Sequence, residues 1–78
     1  MPAVPLYENI RADLRRRISA GEWAPGVQIP TQQELAAHYG TSLQPVKTAL
    51  WMLELDGVVI RRQGKGVFVA DRTADSDA

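Results

Sequence analysis

Seventy-eight residues without a cysteine limit the chain to one small domain held by core burial, since a domain of this size hides only about 60% of its unfolded surface. An apolar share of 45% and a charged share of 23% are ordinary globular values and exclude both a disordered chain and a disulfide scaffold. Nine basic and nine acidic residues cancel to zero, but unevenly: Asp71, Asp75 and Asp77 crowd the end, and residues 1–70 hold eight bases against six acids.

No run approaches the roughly 20 apolar residues that cross a bilayer, and the opening five residues are neither basic nor long enough for a signal peptide. A cytoplasmic protein without a membrane partner is expected. The absence of cysteine excludes thiolate zinc sites and cysteine nucleophiles, and His38 is the only histidine, so no imidazole pair exists for a metal or a proton relay. Neither catalysis nor a cofactor is expected.

Along residues 6–20, Tyr7, Ile10, Leu14 and Ile18 recur every three to four positions and predict an amphipathic helix closed by Gly21. Arg15, Arg16 and Arg17 within it point about 100° apart, so they form no single stripe and read as a solvated face. The segment 22–26 is turn chemistry, and Val27, Gln28 and Ile29 leave room for a short strand before Pro30. Thr31 with Glu34 three residues later is a capping box that starts a second helix, ended by Gly40. His38, near that end, suits the helix dipole and reads as structural.

Ser42 is the expected cap of a third helix. Pro45 sits in its first turn, and Val46, Ala49, Leu50 and Leu53 form the buried face up to Gly57. Trp51, Met52 and Leu55 add apolar surface beyond that face. They need cover from the first helix, from the tail or from a second subunit, and they are the candidate interface. Val58 to Ile60 and Val67 to Val69 then flank Arg61, Arg62, Gln63, Gly64, Lys65 and Gly66, predicting a hairpin with a basic tip. The tip lacks the pattern of a phosphate-binding loop and leads into a strand, not a helix. Residues 71–78 read as a disordered acidic tail behind one domain of residues 1–70.

The order helix, short strand, helix, tight turn, helix, hairpin predicts a mainly α winged helix-turn-helix with a small β wing. The residues that carry it resemble the N-terminal DNA-binding domain of GntR-type transcriptional regulators. They are Leu6-Tyr7, Pro25-Gly26, Ile29-Pro30-Thr31, Glu34-Leu35-Ala36, Thr41-Ser42, Pro45-Val46-Lys47, Ala49-Leu50, Gly57, Arg62-Gln63-Gly64-Lys65-Gly66 and Phe68-Val69. The resemblance covers residues 6–69. It implies a bacterial repressor at the nucleoid, whose third helix reads the major groove of double-stranded DNA while the wing reaches the minor groove.

Two departures stand out. The family usually carries arginine where this chain has Gln33 and Leu43. An amide pairs bidentately with adenine where arginine prefers guanine, so a shifted operator preference is expected. Family members also usually continue into a metabolite-binding, dimerising domain, whereas eight polar residues follow the wing here. Either an excised domain or a free-standing DNA-binding unit fits this, and the free-standing unit is expected, without a small-molecule effector and pairing as a homodimer on DNA. Gln44 and Leu43 are the expected base readers. Thr31, Gln32, Gln33, Ser42 and Lys47 are expected to position the backbone, with Thr31 and Ser42 also acting as caps, and Pro45 and the wing residues Arg61 to Gly66 complete the expected DNA-binding set. The rival reading is a small winged-helix adaptor that docks proteins through the Trp51 surface.

Overall fold

The computed structural model describes residues 5–70. It contains α1 (Leu6–Ser19), α2 (Gln32–Tyr39), α3 (Leu43–Leu55), β1 (Val59–Arg62) and β2 (Gly66–Val69). Residues 71–78, read above as a tail, lie outside the described residues.

The helical periodicities set the core. Ile10 and Leu14 of α1 are buried, with Tyr7 and Ile18 packed at their edges, and they meet the fully buried stripe Val46, Ala49, Leu50 and Leu53 of α3. Leu35 and Ala36 of α2 close the third side, and Val58, Val59, Val67 and Val69 close the base. The side chain of Thr31 accepts from the Glu34 N–H at 3.1 Å while the Glu34 carboxylate accepts from the Thr31 N–H at 2.9 Å, which completes the capping box. Gly40 adopts φ +65°, where a side chain is strained. That turn lets its N–H and that of Thr41 return to the carbonyls of Ala37 and Ala36, so α3 starts after only two further residues.

Three expectations about local backbone structure change. Ser42 is the N-cap residue of α3 by backbone conformation, but its hydroxyl makes no capping bond. Residues 27–29 do not form a strand: one bridge joins Gln28 to Phe68, and Pro30, which has no N–H, ends the pairing. The backbone still bonds along the free edge of β2, from Ile29 N–H to Val67 O at 3.0 Å and from Val69 N–H to Val27 O at 2.9 Å. The hairpin strands also run further towards the tip than predicted. Arg62 pairs with Gly66, both arginines lie in β1, and only Gln63, Gly64 and Lys65 form the turn.

Within the basic run of α1, Arg15 and Arg16 stay exposed as the solvated-face reading has it, whereas Arg17 does not. Arg11 and Arg15 both reach Asp56 at the end of α3, at 2.9 and 3.4 Å. Arg16 pairs with Asp13. Arg17 is mostly buried: it binds Glu22, donates to the Tyr39 hydroxyl at 3.2 Å and lies 4.6 Å from the centre of the Trp23 ring. Tyr39 in turn donates to Asp13 at 2.6 Å, so one network ties α1 to the end of α2. His38 stays exposed, edge-on to the Tyr39 ring.

The hydrogen bond from Tyr39, with help from Arg16 and Arg17, holds the Asp13 carboxyl below its usual range. Burial, reinforced by Asp13, pushes the Tyr39 phenol up from 10.0 to about 12. For Asp13 the depressed value means stability that is present above the ordinary carboxylate pKa and lost as pH falls through the folded one. For Tyr39 the raised value means stability that is complete below pH 10 and lost as pH rises to about 12. Urea unfolding across pH should show both limbs. Tyr39→Phe should cost about 1 kcal/mol at neutral pH and flatten the fall between pH 10 and 12; an alkaline limb unchanged in that variant refutes the assignment.

Candidate nucleic-acid interface

The start of α2, the first turns of α3 and the wing enclose one open cleft. Thr31, Gln32 and Gln33 border it from α2, and Leu43 and Lys47 from α3. Arg61, Arg62, Gln63, Gly64, Lys65 and Gly66 border it from the wing. Most of the residues predicted for a site are thus brought together. No acidic side chain borders the cleft among the described residues.

Three predicted residues stand apart from it. Gln44 is exposed on the outer face of α3, the side opposite the buried stripe. Ser42 is exposed at the helix start and Pro45 is half-buried beside it. Leu43 does border the cleft, but it is also packed against the core, which leaves only part of its side chain to face a partner.

The charges are sorted by position. Asp13, Glu22 and Asp56 are taken up by the arginines of α1, and Glu34 is taken up by the capping box. Lys47, Arg62 and Lys65 have no ion-pair partner among the described residues, and all three border the cleft. Arg61 differs. In β1 it lies on the face opposite Arg62, and its Nε sits 3.7 Å from Glu54 of α3. The wing is acid-free in sequence but not in space, because an acid seven residues earlier is folded back against it. Arg62 stacks over Phe68 at 5.7 Å, which carries its stem along the outer face of the hairpin.

The capping box satisfies two N–H groups at the head of α2. It leaves those of Gln32 and Gln33, which no carbonyl of the helix can reach, at the cleft edge. Two structural residues escaped the sequence reading. Glu54 carries no signal beyond its charge. Gln28, whose side-chain amide donates to the Lys65 carbonyl at 2.8 Å, reads as an ordinary exposed polar residue 37 positions from its partner.

Trp51 and Leu55 are 56% and 67% exposed, and Met52 is half-buried. The first helix does not cover them. Among the described residues no helix is long and apolar enough to cross a membrane, and no group of three His, Cys, Asp or Glu side chains is placed to hold a metal ion.

Comparison with known proteins gives the same architecture. The model of the "Bacterial regulatory proteins, gntR family" matches residues 6–69. A histidine utilization repressor of Klebsiella aerogenes is 36% identical over 72 residues, which is 92% of this chain and 30% of that protein. A probable fructoselysine utilization operon transcriptional repressor of Escherichia coli K12 is 39% identical over 71 residues, 91% of this chain and 29% of that protein. The chain thus spans about 30% of the length of these curated relatives. Among solved structures, AraR(DBD) in complex with operator ORE1 superposes with a TM-score of 0.84 at 31% identity, covering 87% of this chain and 83% of that one. The fold is a winged helix-turn-helix matched over nearly all of its described length, and the chain belongs to the gntR family of bacterial regulatory proteins.

Proposed function

We propose that this chain binds double-stranded DNA sequence-specifically in a transcriptional repressor, with α3 in the major groove and the wing in the minor groove. The observation that carries the reading is the convergence of Lys47, Arg62 and Lys65, the cations without acidic partners among the described residues, on one acid-free cleft beside the heads of α2 and α3. A phosphate backbone is the partner that such a cleft fits, since each neutralised phosphate releases a condensed counterion. The relatives named as repressors and the operator complex of AraR support the same assignment. Control without a small-molecule effector and pairing on DNA belong to the same proposal.

Roles divide by chemistry. Lys47, Arg62 and Lys65 hold phosphates, and Thr31, Gln32, Gln33 and Ser42 position the backbone at the helix heads. Gln44, exposed on the outer face of α3, reads a base edge, with Leu43 beside it offering apolar contact to a thymine methyl. Arg61 is partly claimed by Glu54 and contributes less than its neighbour.

Selection from a random duplex pool, followed by titration, tests the reading. With three free cations among the described residues the log affinity should fall with log salt at a slope of about −2.7, a loss of about 40-fold between 50 and 200 mM. An affinity unaffected by salt would sink the proposal.

Gln44→Ala should cost about 1–3 kcal/mol and flatten the preference at one base pair. Lys47→Ala should weaken all sequences alike and lower the salt slope by about 1. A base profile unaltered in the Gln44 variant removes that residue from the reading set.

Pairing on DNA would use the uncovered Trp51 and Leu55, with Met52 at their edge. Specific affinities near 10⁻⁸ M usually need two such modules on a repeated site, while so few side chains fall short of the roughly 1,200 Å² that a stable dimer buries. Sedimentation should therefore find a monomer free in solution and a pair on a repeated site. Trp51→Ser should fold normally and lose the cooperativity; undiminished cooperativity moves the contact elsewhere. Protein binding through this face without any duplex affinity would favour the adaptor reading.

A further inference from the structure

The wing is a two-stranded hairpin, a unit of marginal stability by itself. Its tip projects beyond the last residues that the core holds: Val67 is buried, while Arg61 to Lys65 are all exposed. Whether Arg62 and Lys65 meet a phosphate backbone at a fixed angle or from a swaying loop depends on what restrains that tip.

One side chain does. Gln28 lies in the segment bonded along the free edge of β2, two residues before the Pro30 that leads into α2. Its Nε2 donates to the Lys65 carbonyl at 2.8 Å. A carbonyl only accepts, so the amide must present its nitrogen there. The next residue is shaped to receive it. Gly66 has φ +124°, and a Cβ on it would run into Gln28 Nε2, so the amide lies flat against a backbone that only glycine leaves open. Gln28 also borders the cleft in which the free cations gather.

We propose that Gln28 is the positioning residue of the wing, a latch from the segment ahead of α2 to the wing tip that sets the angle at which Arg62 and Lys65 address DNA. The proposal rests on the DNA-binding reading for its effect on affinity, but not for the latch itself. The latch couples the two sides of the cleft: the chain that Gln28 fixes at the wing becomes, three residues later, the cap of α2 at Thr31. Gln28 acts through the wing cations, and without them its loss has nothing to disorder.

The test uses the full chain and a duplex recovered by selection with the wild-type protein. Gln28 is exposed, so Gln28→Ala and the isosteric Gln28→Glu, which offers the carbonyl no donor, should melt within a few degrees of wild type. In both, the heteronuclear NOE of the Lys65 and Gly66 amides should fall while those of Val67 and Val69 hold. Affinity for the duplex should drop by up to about tenfold in Gln28→Ala, the most that one exposed neutral hydrogen bond supplies. In the Arg62→Ala/Lys65→Ala background the same Gln28→Ala change should cost less than about twofold, the signature of coupled residues.

An unchanged NOE at the tip overturns the latch. An equal loss of affinity in the wing-neutral background overturns positioning and makes Gln28 a direct DNA contact. If the wild-type chain binds no duplex at all, the DNA-binding reading fails, and the NOE comparison alone still decides whether the latch exists.

Discussion

Val46, Ala49, Leu50 and Leu53 turn one stripe of α3 entirely into the core, and every other surface of that helix takes its orientation from this burial. The opposite face has to carry Gln44, Trp51 and Leu55, and one flank has to carry Lys47 and Glu54 towards the wing. Truncating any of the larger three to alanine would cost on the order of 2–4 kcal/mol, against a total of about 5–15 kcal/mol for a small domain. The helix that would read DNA is therefore also the helix around which the domain is assembled. Its outer residues can vary without cost to the core, which is the separation that a recognition helix needs.

Charge is distributed by the same logic. Arginines on α1 meet Asp13 within the helix, Glu22 in the turn after it and Asp56 at the end of α3, so these three acids are held away from the cleft. A chain with no net charge thereby presents one basic face. The exposed pairs contribute little stability individually. Their larger effect is to keep carboxylates from the neighbourhood of a phosphate backbone. Glu54 is the exception, and its hold on Arg61 turns that side chain towards α3.

Local chemistry was legible in the sequence wherever partners lie within a few residues. The capping box of Thr31 and Glu34, the turn at Gly40 and the apolar periods of α1 and α3 depend on spacings of three or four, and each is found where the spacing puts it. What was not legible depends on contacts made across the fold. Arg17 reads as solvated until Tyr39, 22 residues on, is brought beside it. Arg61 and Arg62 read as equivalent until the pleat of β1 sends them to opposite faces. Ser42 shows the limit of a residue-type rule: the backbone at a helix start was recognisable, while the hydroxyl rotamer that would complete the cap is set by surroundings no motif encodes. Trp51 stands out in the sequence because nothing in the local pattern needs it, and its exposure leaves the reason outside the described fold.

The cleft divides affinity from specificity in a particular way. Its fixed charges sit on the wing and at Lys47, where a phosphate is the accessible partner, while the heads of α2 and α3 present the amides Gln32, Gln33 and Gln44 and the part-exposed aliphatic Leu43. An amide offers both a donor and an acceptor but no net charge, so it adds little to binding until a base edge with the complementary pair is opposite it. A guanidinium in the same place would add attraction to any sequence. With amides there, nonspecific affinity falls, and a larger share of the binding free energy comes from correctly paired bases. On the proposed reading, a module built this way would hold weakly to most DNA and firmly to its own site. The uncovered Trp51 and Leu55 lie on the same outer face of α3 as Gln44, about two and three turns further along the helix, where a second module on a repeated site would meet them.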